Sequence, residues 1–197
     1  MGGGDLRSVL QASDDVSFPL LQKVECALRV ADALVFLHTM DPKVIHRDLK
    51  SRNVLMDAEK GAKVTDFGVS REAIDEETLT AGVGTYRWMA PEVLSDGHYA
   101  PSADIFSFGI ILSELDTHQL PYSDLKNAKG NALTDTAIMA AVMRGELQPT
   151  FRSDAQPWLV DFAKKCIDTD PLNRPTAMEA AYFLRMELRK LVNTLNE

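Results

Sequence analysis

The stretch from Ser102 to Asp116 constrains this chain most. Ile105, Phe106, Phe108, Ile110, Ile111 and Leu112 fall on several sides of a helix rather than along one stripe. A helix of that kind has to be surrounded by other elements. It carries Asp104, and a carboxylate is costly to bury unless it is paired. The chain therefore needs a shell around a central helix. Its 197 residues, 45% of them hydrophobic, can supply one. That length suits a single domain or one large lobe of a bigger one.

Most of the remaining sequence also has helical spacing. From Pro19 to about Met40 the apolar positions are Leu21, Val24, Leu28, Ala31, Leu34 and Val35, with Pro19 in the first turn and Asp41-Pro42 as the break. Further helices are expected over 5–10, 91–95, 134–144, 156–167 and 176–194, separated by Gly97, Pro121, Gly130, Gly145, Pro149 and Pro171. Residues 44–66 read differently. Val54–Met56 and Ala62–Val64 flank Asp57–Gly61, which predicts a small hairpin. The expected fold is α+β and mostly α-helical. Residues 69–84 are polar, acidic and rich in Thr, and read as a long exposed loop.

Several function classes are excluded. A net charge of -8 argues against a broad nucleic-acid-binding surface. No apolar run approaches membrane-spanning length, and no basic stretch followed by an apolar one marks a signal peptide. Gly2 does not make a myristoylation motif, because Leu6 stands where Ser or Thr is required. Cys26 and Cys166 sit in helical apolar patterns and read as buried, reduced thiols. These features together point to the cytoplasm.

Chemistry concentrates just outside the hairpin. Asp48 and Asn53 are joined by a short loop, Lys50 lies between them, and Asp66 returns at the end of the second strand. Two carboxylates, an amide and an ammonium suit a Mg²⁺–phosphate centre, since hard cations take oxygen ligands and a lysine offsets phosphoryl charge.

These residues resemble a known family. His46-Arg47-Asp48-Leu49-Lys50-Ser51-Arg52-Asn53 is similar to the protein-kinase catalytic loop, Asp66-Phe67-Gly68 to its metal-binding triplet, and Ala90-Pro91-Glu92 to the end of its activation segment. Gly84-Thr85-Tyr86-Arg87-Trp88-Met89 resembles the substrate-docking loop of the tyrosine-kinase-like group of Ser/Thr kinases. Asp104–Gly109 resembles the family's central helix, and Asp170–Thr176 the entry to its last one.

The resemblance implies an ATP- and Mg²⁺-dependent Ser/Thr protein kinase acting on protein substrates. Asp48 would orient the substrate hydroxyl and accept its proton, and Lys50 would contact the γ-phosphate. Asn53 and Asp66 would ligate Mg²⁺, Thr85 would position Asp48 and Lys50, and Leu55 would floor the adenine. Arg47 would receive a phosphate on Thr78 or Thr80, with Ser70 behind them. His46, Phe67 and Gly68 would be structural, Glu92 and Arg174 would form a buried pair, and Asp104 would hold the catalytic-loop backbone. Phe106 stands where the family usually has Trp. His38, His98 and His118 have no ligand spacing and receive no role.

The same resemblance sets the expected extent. Residues 1–197 read as the C-terminal lobe alone, starting just after the hinge, with an activation segment over 66–92. The N-lobe, with its glycine-rich loop, strand lysine and partner glutamate, is expected to be missing, and Gly2-Gly3-Gly4 lacks the spacing to replace that loop. Other domains upstream of Met1 are compatible with this. The isolated chain is expected to transfer little phosphate. The alternative is a pseudokinase-like binding module.

Overall fold

The computed structural model describes residues 3–57, 59–66, 84–97 and 99–195. Phe67, Gly68, Ser70, Thr78, Thr80 and His98, singled out above, lie outside the described residues. Seven helices and one hairpin follow in order among the described residues: α1 Leu6–Ala12, α2 Leu20–His38, β1 Val54–Asp57, β2 Gly61–Val64, α3 Pro91–Asp96, α4 Pro101–Thr117, α5 Asp135–Met143, α6 Pro157–Cys166 and α7 Ala177–Leu195. The fold is mostly helical with one two-stranded antiparallel sheet.

The apolar run becomes α4, and every residue from Ala103 to Asp116 on it is buried. Pro101 opens it at a position where a missing N–H costs nothing. It packs on α6 and α2, and α2 in turn packs on α7. The α4–α6 approach depends on Gly109. A Cβ there would lie 2.6 Å from Ile167 Cγ2 and 2.8 Å from Cys166 Cβ. Ala27 and Ala31 on α2 and Ala180 and Ala181 on α7 are buried, and small side chains of this kind let helices come close. Arg185 pairs with Asp32 across the two at 2.8 Å.

The hairpin pairs Val54 with Val64, Leu55 with Lys63, Met56 with Ala62 and Asp57 with Gly61. Asp57 Oδ1 shapes its turn by accepting from the backbone N–H groups of Glu59 (3.0 Å) and Lys60 (2.9 Å). The glycine run is explained here. Gly4 O accepts from Met56 N at 2.9 Å, and a Cβ on Gly3 would meet Met56 O at 2.3 Å. Gly3 and Gly4 thus lie against β1. Asp5 then pairs with Leu55 and caps α1 by accepting from Ser8 N at 3.0 Å.

Each expected helix and strand is present with ends displaced by a residue or two. Three 3₁₀ turns, Ser51–Asn53, Thr85–Trp88 and Pro171–Asn173, had not been expected. Both cysteines are free and buried, and burial pushes the Cys26 thiol up to about 12. No described helix is long and apolar enough to cross a membrane.

Candidate active site

Asp104 is the buried root of the site. Its Oδ2 accepts from His46 N at 2.8 Å and its Oδ1 from Arg47 N at 3.1 Å, so the central helix grips the loop backbone directly. His38, assigned no role above, adds a third contact: its Nε2 lies 2.8 Å from Asp104 Oδ2. That reading of His38 is corrected, because a histidine at the end of α2 helps compensate a buried carboxylate on α4. His118 also has a structural place, its Nδ1 2.9 Å from Ser13 O.

The grip fixes an unusual backbone. Arg47 takes φ 67, a left-handed conformation that a non-glycine residue adopts at some cost. His46 is fully buried, and Asp48 N donates to its Nδ1 at 3.3 Å. Its Nε2 therefore carries the proton and donates to Thr65 O at 2.9 Å. Both ring nitrogens thus face backbone.

The groups beyond it converge. Lys50 Nζ donates to Asp48 Oδ1 (2.9 Å) and Oδ2 (2.8 Å), and to Thr85 Oγ1 at 3.0 Å. Asn53 Nδ2 donates to Asp48 O at 2.7 Å and Oδ2 at 3.0 Å. The Asp48 and Lys50 side chains are 25% and 16% exposed, so the cluster reaches the surface without dissolving into it. Thr65 N donates to Asn53 O at 2.9 Å, one residue before Asp66, which is exposed with φ 62. The hairpin therefore brings Asp66 to the Asn53 end of the loop. With its amide nitrogen committed to Asp48, Asn53 keeps its Oδ1 as an oxygen donor. One amide oxygen and one carboxylate suit a hard divalent cation that takes its other ligands from phosphate and water. Leu55 is half-buried on β1, opposite Lys63.

Farther out, Arg174 Nη1 and Nη2 donate to Glu92 Oε1 (2.7 Å) and Oε2 (2.9 Å), and the guanidinium lies 5.0 Å from the centre of the Phe106 ring. Arg47 lies over the Tyr99 ring at 5.5 Å, and its Nε is buried without a hydrogen bond among the described residues. One participant was missed from sequence. Glu114, fully buried on α4, accepts from Ser51 Oγ, Trp88 Nε1 and Arg7 Nη1. The signal was a second acidic residue on the same apolar run as Asp104.

The family profile described as Protein kinase domain matches residues 1–183. The chain belongs to the protein kinase family. Among its relatives is the serine/threonine-protein kinase STY17 of Arabidopsis thaliana, 37% identical over 174 residues that make up 88% of this chain and 29% of that protein. The serine/threonine/tyrosine-protein kinase HT1 of the same plant is 34% identical over 175 residues, 89% of this chain and 42% of its own. An RGS domain-containing serine/threonine-protein kinase A of Dictyostelium discoideum is 36% identical over 182 residues, covering 92% and 15%. This kinase chain thus spans less than half the length of these relatives. Their names accord with the Ser/Thr, tyrosine-kinase-like group that its motifs resemble.

Proposed function

We propose that this chain is the C-terminal lobe of a Ser/Thr protein kinase domain, with residues 66–92 as activation segment, and that it serves to move the γ-phosphate of ATP to protein Ser or Thr hydroxyls. The observation that carries this is the Asp48 carboxylate held between Lys50 and Asn53, with Lys50 also bonded to Thr85. Asp48 orients the attacking hydroxyl and accepts its proton. Lys50 meets the negative charge of the γ-phosphate, and Thr85 fixes where its ammonium sits. Asn53 and Asp66 would supply oxygen ligands to Mg²⁺, which when bound would neutralise phosphate charge. Leu55 floors the adenine.

Arg47 has the regulatory role. Its guanidinium charge and its place beside Asp48 suit a phosphate on Thr78 or Thr80. Fragment spectra of active protein should find phosphate within residues 70–80. Active protein with none there removes this part of the proposal. A cytoplasmic location goes with the reading.

For the 197 residues by themselves a second reading is a pseudokinase-like docking module. The purified chain, given radiolabelled ATP, Mg²⁺ and a generic basic protein, is expected to label it near background. Strong labelling that disappears in Asp48→Asn overturns that expectation and favours an autonomous enzyme.

A further inference from the structure

Glu114 is a buried charge that the proposed chemistry leaves unused. It is 0% exposed, on a helix whose neighbouring residues Ile110, Ile111, Leu112 and Leu115 are all buried and apolar. A packing role alone would be served better by another apolar side chain, because a buried carboxylate needs partners. Its partners come from three separate segments. Ser51 Oγ donates to Oε1 at 2.8 Å from the catalytic loop, Trp88 Nε1 donates to Oε2 at 2.7 Å from the docking loop, and Arg7 Nη1 donates to Oε1 at 3.2 Å from α1. Arg7 is the charged group that the described structure sets against Glu114, and its Nη2 also bonds His118 O, the C-cap of α4, at 2.6 Å.

The placement of these donors is informative. Ser51 directly follows Lys50, and Trp88 lies three residues after Thr85 on one 3₁₀ turn, where residues three apart share a face. Lys50 and Thr85 already join the two loops at the site, 3.0 Å apart. Ser51, Glu114 and Trp88 join the same two loops a second time, beneath it. Arg7 extends the link to α1, whose N-cap Asp5 pairs with Leu55.

We propose that Glu114 is a positioning residue that holds the docking loop in register with the catalytic loop through one shared carboxylate. This deepens the kinase reading and rests on it. The ionised form accepts all three donors at once. Protonation replaces one acceptor with a donor and loosens the link. Burial pushes the Glu114 carboxyl up to about 7, against the pull of Ser51, Trp88 and Arg7, so the change falls in an accessible range.

The chain has two tryptophans. In a Trp158→Phe version of the 197-residue chain the emission therefore comes from Trp88 alone, and no phosphotransfer is needed to read it. We expect the emission to follow a single transition near pH 7. The transition should vanish in Glu114→Gln, with circular dichroism checking that this variant is folded. Ser51→Ala should move the midpoint upward, because a donor that favours the carboxylate has been removed. If Glu114→Gln does not fold, the Ser51→Ala shift decides. A pH-independent signal in folded protein, a transition that persists in Glu114→Gln, or a midpoint unmoved by Ser51→Ala overturns the proposal. The kinase reading stands or falls separately, on Asp48-dependent phosphotransfer.

Discussion

Two of the three buried carboxylates on α4, Asp104 and Glu114, do different work at the residue scale. Asp104 is matched to backbone, with the His46 and Arg47 amides both ending on it. Asp104→Ala strands those two buried donors, which costs about 1–3 kcal/mol each. Native-state hydrogen exchange should then show the His46 and Arg47 amides losing protection ahead of the α4 amides. Glu114 is matched to side chains and remains expensive to ionise. Its folded value of about 7 lies above the ordinary 4.5, so the native state keeps a proton that the unfolded chain releases. Its contribution to stability therefore falls as pH rises from about 4.5 to about 7, by roughly 3 kcal/mol, and is level above that. Urea unfolding at several pH values should find this slope in the native chain and not in Glu114→Gln. Asp104 could be interpreted from sequence because a motif surrounded it. Glu114 could not, because its three partners lie 63, 26 and 107 residues away.

At the element scale the sequence was most informative where periodicity was long. α2, α4 and α7 follow their apolar spacing to within a residue or two, since burying an apolar face decides a helix of 17 to 19 residues. The 3₁₀ turns at 51–53 and 85–88 were not legible. Each spans only three or four residues and is held by tertiary bonds rather than by pattern. The glycine run had the same difficulty, because its reason is the close approach of Met56 O. Two variants test how rigidly the elements are set. Gly109→Ala should force α4 and α6 apart and cost about 1–3 kcal/mol, seen as a lower urea midpoint with an unchanged slope. Arg174→Ala leaves Glu92 without its partner and should cost about 3–5 kcal/mol. Arg174→Lys should recover only part of this, since an ammonium cannot make the paired bonds at 2.7 and 2.9 Å.

Over the whole molecule, α4 is the post on which the loops hang: Asp104 holds the loop at His46 and Arg47, and Glu114 ties Ser51 of that loop to Trp88 of the 85–88 turn. Hairpin register then brings Asp66 to the Asn53 end. The proposal that these residues form the lower jaw of a kinase is tested most directly by supplying an upper one. The direct measurement joins the N-terminal lobe of the STY17 kinase domain ahead of Gly3 and assays Mg²⁺-dependent phosphorylation of Ser and Thr in a protein substrate. The account predicts transfer by the chimera, falling about 10²–10⁴-fold in Asp48→Asn with nucleotide affinity little changed. A folded chimera that binds ATP yet transfers nothing, or one indifferent to Asp48→Asn, would contradict it.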